Sequence, residues 1–118
     1  MTRTKLAIIG VGLIGGSLGL CFKEALGDEI YITGLCRSEQ SMRAAMDCGA
    51  VDYAGADLAK VVGDADIVYL SPPVLQIVPM VQRILPYLKR GAILTDAGST
   101  KGELYRQLHE ILLADIYY

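Results

Sequence analysis

The segment GVGLIGGSLGL, residues 10–20, places five glycines in eleven positions and contains the spacing G-x-G-x-x-G. The apolar run before it, KLAIIG at residues 5–10, is typical of a strand buried on both faces. Residues 13–26 are predicted to form a helix, in which each interior glycine costs about 0.5–1 kcal/mol relative to alanine. So many glycines therefore need a physical reason. We expect Gly16 and Gly19 to allow close packing of this helix.

A strand, a glycine turn and a helix in this order are typical of dinucleotide-binding domains. Gly10 would permit the tight turn, Gly12 would let a pyrophosphate approach the backbone, and Gly15 would allow the helix to pack closely on the strand. The free N–H groups and the dipole at the helix start, at Leu13 and Ile14, would hold the negative charge. The alternative is a tight turn whose glycines serve packing alone.

Strand and helix patterns alternate along the rest of the chain. The further strand patterns cover residues 30–35, 51–53, 67–71 and 92–96, and DIYY at the end begins one more. The further helical patterns cover residues 38–48, 57–62, 74–88 and 101–113. Pro79 is expected to kink or restart its helix. This alternation predicts an α/β fold with a mostly parallel, doubly wound sheet of the Rossmann type.

Length and composition narrow the class of protein. The 118 residues correspond to one domain, residues 1–118, and 53% of them are hydrophobic, so some apolar surface is expected to lie against a partner or a further piece of chain. The net charge of −2 gives no reason to expect nucleic acid or a membrane surface as partner. Since no stretch approaches the roughly 20 apolar residues of a membrane span, we expect a cytoplasmic protein.

The cysteines argue against a metal site. Cys21, Cys36 and Cys48 form no C-x-x-C pair, and the chain contains one histidine. A zinc site built from sulfur and nitrogen ligands is therefore not expected, and the thiols are predicted to be reduced.

The residues after the second strand bear on the choice of dinucleotide. In NAD-binding domains an acidic residue about 20 positions beyond the motif holds the ribose 2′-OH. Here the stretch reads GLCRS, residues 34–38, and the first carboxylate is Glu39. Arg37 would pair with a 2′-phosphate and Ser38 would donate to it, which favours NADP. The alternative is a solvated Arg37 and a Ser38 that only caps a helix.

Two more loops are predicted at the carboxyl ends of strands, where ligands bind in open α/β sheets. Ser71, Pro72 and Pro73 would form a stiff wall beside the nicotinamide, or only stop the strand. In the segment DAGSTKG, residues 96–102, Ser99 and Lys101 would meet a polar or anionic substrate. An ordinary polar loop is the alternative.

Three segments, IIGVGLIGGSLGL, YLSPPV and TDAGSTKGEL, together resemble the nucleotide-binding half of prephenate and arogenate dehydrogenases. The resemblance covers the whole chain. It implies an oxidative decarboxylation in tyrosine biosynthesis, in which a hydride passes from the hydroxyl-bearing ring carbon to the nicotinamide. Loss of CO2 then yields the aromatic ring.

The resemblance also assigns residues. Ser99 and Lys101 match catalytic positions near the substrate. Arg37 and Ser38 are similar to the residues at the same place in the members that use NADP. The residues expected at the cofactor are Gly10, Gly12, Leu13, Ile14, Gly15, Arg37, Ser38, Ser71, Pro72, Pro73, Gly98 and Ser99.

One departure from the family affects catalysis. The family's catalytic histidine lies in a G-G-H-P segment expected just after DIYY, and its second, helical domain supplies dimer contacts and an arginine for the substrate carboxylate. With both absent, the 118 residues are expected to bind cofactor but turn over substrate negligibly, whereas the full-length protein would be a homodimer. The alternatives are another NADP-dependent dehydrogenase, such as a β-hydroxyacid dehydrogenase or imine reductase, and a nucleotide-binding module without chemistry.

Overall fold

The computed structural model describes residues 3–10, 13–71, 74–96 and Ile116, with the backbone alone at residues 13–15 and 74. Within these residues the strands are β1 (Thr4–Ile9), β2 (Ile30–Leu35), β3 (Tyr53–Gly55), β4 (Ile67–Leu70) and β5 (Ile93–Asp96). The helices are α1 (Leu13–Leu26), α2 (Glu39–Asp47), α3 (Leu58–Val62) and α4 (Val74–Ile84), with short 3₁₀ turns at Gly27–Glu29 and Leu85–Tyr87.

The described strands form one parallel sheet in the order β3-β2-β1-β4-β5. The chain moves outward from β1 to β3 and then returns to the other side of β1 as β4. This reversal between β1 and β4 makes the fold doubly wound, as the sequence predicts.

The side chains of β1 alternate between two apolar cores on the two faces of the sheet. Leu6 and Ile8 pack in the core that includes Ala45 of α2, whereas Ala7 and Ile9 pack in the core that includes residues of α3 and α4. Both faces of β1 are therefore covered, which explains its uninterrupted apolar sequence.

Most predicted elements are confirmed, with shifted boundaries. The bounds of α1 and β2 agree with the prediction, but β3 begins two residues late, at Tyr53. Before it, Asp52 pairs with Ile32 through both its N–H and its carboxylate, each at 2.8 Å, so a side chain replaces part of the ladder. The predicted helix over 101–113 lies outside the described residues, as does the last strand apart from Ile116, which is buried.

Of the two outcomes expected at Pro79, a kink or a restart of the helix, the restart does not occur. The helix α4 runs through Pro79 as one element and ends at Ile84, before the predicted residue 88. Pro79 removes one N–H from the helix ladder, whose partner carbonyl belongs to Leu75. Both residues are on the exposed side, so water can satisfy that carbonyl.

Close packing of α1 depends on Gly19. A Cβ built on Gly19 would lie 2.2 Å from the carbonyl oxygen of Ala50, in the segment before β3. A Cβ on Gly16 would meet nothing within 4 Å among the described residues. The packing role is therefore confirmed for Gly19, whereas no described residue requires a glycine at position 16.

Replacing each of the two glycines by alanine is predicted to have opposite effects on the free energy of unfolding. Gly19→Ala should lower the free energy of unfolding by about 1–3 kcal/mol or more, because the backbone carbonyl of Ala50 cannot move aside cheaply. Gly16→Ala should raise it by up to about 1 kcal/mol, because alanine favours the helix. Thermal unfolding followed by circular dichroism measures both, and equal midpoints for the two variants would contradict the assignment.

Candidate nucleotide-binding site

The carboxyl ends of β1 and β4 lie side by side, and the chain leaves them in opposite directions. Ile9 pairs with Leu70 at these ends, followed by Gly10 and Ser71. In parallel sheets the crevice at such a switch point is where ligands bind. The topology therefore brings the glycine turn at Gly10 and the segment that starts at Ser71 to the same edge of the sheet, which we name the nucleotide edge.

Gly10 makes the turn that the sequence predicts. Its φ is +79°, a conformation that L side chains rarely adopt, and α1 begins at Leu13. The first N–H groups of this 14-residue helix, at Leu13, Ile14 and Gly15, have no partner within the helix. This backbone fits the diphosphate of a dinucleotide. Gly12 lies outside the described residues.

Ser71 ties the glycine turn to β4. Its backbone N–H donates to the carbonyl of Ile9 at 3.0 Å, and its Oγ lies 2.9 Å from that oxygen and 2.7 Å from the carbonyl oxygen of Gly10. The single hydroxyl proton is shared between these two carbonyls. Ser71 therefore holds the start of the turn in place; Pro72 and Pro73, predicted beside it, lie outside the described residues.

Ser38 is the N-cap of α2. Its Oγ accepts from the N–H of Ser41 at 3.2 Å and lies 2.7 Å from the Ser41 hydroxyl. The capping role is thus confirmed. The α2 N-terminus also faces the carboxyl edge, because α2 follows β2 directly.

Arg37 is exposed between β2 and α2. Its Nη2 donates to Oε1 of Gln76, on α4, at 3.2 Å. Gln76 was not among the residues predicted from the sequence, because the contact joins residues 39 positions apart.

Cys36 places a neutral side chain at the end of β2. Its side chain is buried and its N–H donates to the carbonyl of Gly55 at 3.0 Å. Burial raises the pKa of the Cys36 thiol, which therefore stays neutral at neutral pH. The position just before Arg37 thus carries no negative charge that would repel a phosphate.

The segment after β5 starts from the same edge. Asp96, the last residue of β5, is buried and pairs in register with Leu70 of β4. Gly98, Ser99 and Lys101 follow it within five residues, but they lie outside the described residues.

The opposite edge of the sheet carries a structural charge pair. Asp66 accepts from the Lys89 ammonium and, at 2.8 Å, from the backbone N–H of Lys5. The Lys89 hydrogen bond, followed by the Lys5 N–H, lowers the pKa of Asp66. These groups connect the amino ends of β1 and β4 and lie at the end of the sheet opposite the nucleotide edge.

The described residues contain neither a cluster of metal ligands nor a membrane-spanning helix. No three histidine, cysteine, aspartate or glutamate side chains in this part of the chain come together as metal ligands. Over the same residues, no helix is both long enough and apolar enough to cross a membrane.

Comparison with known families gives one direct match. The family described as "Prephenate dehydrogenase, nucleotide-binding domain" matches residues 19–117. The chain belongs to this family. The family that the sequence resembles is thereby confirmed.

Relatives of this domain are longer than the chain. The prephenate dehydrogenase of Lactococcus lactis is 36% identical over 108 residues, which are 91% of this chain and 30% of the relative. The cyclohexadienyl dehydrogenase of Zymomonas mobilis is 31% identical over 107 residues, 91% of this chain and 36% of the relative. The chain thus spans about a third of the length of these relatives.

Solved structures of the family share the fold. Prephenate dehydrogenase from Aquifex aeolicus, in complex with hydroxyphenyl propionate and NAD+, superposes with a TM-score of 0.85 at 31% identity, covering 98% of this chain and 41% of that one. Arogenate dehydrogenase from Synechocystis gives 0.84 at 30% identity, covering 91% and 37%. These Rossmann-type neighbours confirm the predicted fold class.

The Ser71 contacts predict that removing its hydroxyl weakens the binding of NADP and of NAD equally. Ser71→Ala removes the hydroxyl shared by the carbonyls of Ile9 and Gly10, which should lower the free energy of unfolding by about 1 kcal/mol. Because the glycine turn would hold the diphosphate common to NADP and NAD, the affinities for both should fall by the same factor. Calorimetric titration of each measures this, with Ser71→Thr, which keeps the hydroxyl, as control. A loss confined to one nucleotide would contradict the assignment.

Proposed function

We propose that this chain is the nucleotide-binding domain of an enzyme that oxidatively decarboxylates prephenate or arogenate, and that it holds NADP at the carboxyl edge of its sheet. The observation that carries the proposal is the positive φ of Gly10 at a turn that starts α1 at the switch point. Membership of the family supports the substrate class. The Aquifex aeolicus relative, crystallised with NAD+ and hydroxyphenyl propionate, supports a small aromatic ligand beside a nicotinamide.

The residues of this chain would bind and orient the reactants. When bound, the nicotinamide supplies an acceptor for the hydride that leaves the hydroxyl-bearing ring carbon, while loss of CO2 makes the ring aromatic. Ser99 would hold the substrate hydroxyl near the cofactor, and Lys101 would attract the anionic substrate. The pairing of Asp96 with Leu70 supports this, because it starts their segment at the nucleotide edge. Pro72, Pro73 and Gly98 would border the cofactor.

The preference for NADP rests on the end of β2. Arg37 is exposed, and its guanidinium has four N–H groups beyond the one given to Gln76. Cys36 is a neutral thiol where NAD-binding domains are expected to carry a carboxylate. Ser38 would add a donor at the start of α2. A 2′-phosphate at this place would therefore lie beside the positive charge of Arg37, with no negative charge nearby from β2.

Removing the Arg37 side chain tests the NADP choice. Arg37→Ala should weaken NADP+ binding by about 1.5–3 kcal/mol, the range for hydrogen bonds to charged groups, and leave NAD+ affinity nearly unchanged. Calorimetric titrations at one fixed ionic strength measure both. Arg43→Ala, which removes an exposed arginine from α2, is the matched control. Equal losses for NADP+ and NAD+ in Arg37→Ala would overturn the choice of NADP.

We also propose that a second, helical domain completes the active site and forms a homodimer in the full-length protein, which we expect in the cytoplasm. The share of the Lactococcus lactis relative that this chain spans, 30%, supports a further domain. That domain would supply the arginine for the substrate carboxylate. The family's catalytic histidine would follow the sequence DIYY.

The purified 118-residue chain offers a direct test of this division. It should bind NADP+ but convert prephenate and arogenate at a negligible rate, because the proposed histidine and carboxylate-binding arginine would lie outside these 118 residues. Formation of reduced cofactor, followed by fluorescence, measures the rate, with a full-length family member as positive control. Turnover by the pure chain at a rate near that of the control would show that the 118 residues hold the whole catalytic site.

A further inference from the structure

The hydrogen bond between Arg37 and Gln76 crosses the nucleotide edge. Arg37 lies two residues after β2, and Gln76 is the third residue of α4, which follows β4. The strand between β2 and β4 in the sheet is β1. Since neighbouring strands lie about 4.8 Å apart, the bond joins segments whose strands are about 10 Å apart, across the end where the Gly10 turn begins.

We propose that Gln76 is a positioning residue that favours NADP by holding the Arg37 guanidinium ready for the 2′-phosphate. The inference rests on the proposed NADP site. An unrestrained arginine side chain loses much rotamer freedom when it binds a phosphate, and a partner that already fixes one of its N–H groups reduces that loss.

The chemistry of the amide suits this role. A glutamine oxygen is neutral, so it accepts one hydrogen bond from Arg37 and leaves the positive charge available. A carboxylate at the same place would form an ion pair and compete with the phosphate. Among the described residues, no carboxylate lies within ion-pair distance of Arg37, although Glu39 follows it by two positions.

Gln76 is not needed for the core. The side of α4 that packs on the sheet carries Ile77, Val81 and Ile84, all fully buried, whereas Gln76 is exposed. Substitutions at Gln76 should therefore leave the fold intact. Gln82, exposed on the same helix, provides a matched control.

The experiment measures how Gln76 changes the choice between two nucleotides. NADP+ and NAD+ are titrated calorimetrically into the purified chain and into Gln76→Ala, Gln76→Glu and Gln82→Ala. Gln76→Ala should weaken NADP+ about 3- to 10-fold, the range for one hydrogen bond, and leave NAD+ unchanged. Gln76→Glu should weaken NADP+ at least as much, because its carboxylate neutralises Arg37. Gln82→Ala should change neither affinity.

A double-mutant cycle separates positioning from other effects. If Gln76 acts through Arg37, Gln76→Ala should have no further effect on NADP+ affinity in the Arg37→Ala background. A further loss of the same size there would show that Gln76 acts independently of Arg37 and would overturn the inference.

The failure of this inference can be told from the failure of the NADP proposal. If Arg37→Ala lowers the preference for NADP+ but Gln76→Ala does not, the NADP site stands and the role of Gln76 is wrong. Tighter NADP+ binding in Gln76→Ala would also overturn it, because the bond would then hold Arg37 away from the phosphate. If Arg37→Ala leaves the preference unchanged, both proposals fail.

Discussion

The burial of β1 on both faces is the constraint on which the rest of the structure depends. Ala7, Ile8 and Ile9 have no solvent exposure, so β1 can only be a central strand with helices on each side. From β1 the chain builds the sheet outward to β3 and then returns to the other side of β1 to add β4 and β5. The crevice at the carboxyl end of β1 follows from that return, and it is where Gly10 turns and α1 begins.

How much the sequence could predict depended on whether the cause was local. The turn at Gly10, the cap at Ser38 and the bounds of α1 and β2 rest on short-range chemistry, and the structure agrees with each. The late start of β3 and the difference between Gly16 and Gly19 depend on contacts with Ile32 and Ala50, which no local pattern encodes. For the same reason, the bonds of Ser71 to residues 61 and 62 positions earlier and of Arg37 to Gln76 were not predictable.

The nucleotide edge separates two kinds of recognition. In the proposed site, Gly10 and the start of α1 would present backbone groups to the part of the ligand that every dinucleotide shares, and Ser71 holds the Gly10 turn in place. Arg37 and Gln76 stand on the β2 side, where the proposed site would hold the one phosphate by which NADP differs from NAD. The first group rests on the Gly10 turn and the start of α1, whereas the second rests on a side-chain contact between Arg37 and Gln76. Cofactor choice can thus change without disturbing the turn.

The contact of Gly19 with Ala50 constrains how the chain can vary in length. The turn between α2 and β3 lies at the surface, and Gly49 there has a φ of +83°, so it resembles a place where residues are easily gained or lost. However, the carbonyl of Ala50 rests against the middle of α1, the helix whose first turn would hold the nucleotide in the proposed site. An insertion in that turn would therefore push on α1 and shift the helix start that the proposed site relies on. In this chain, the surface turn after α2 is therefore a poor place for a change in length.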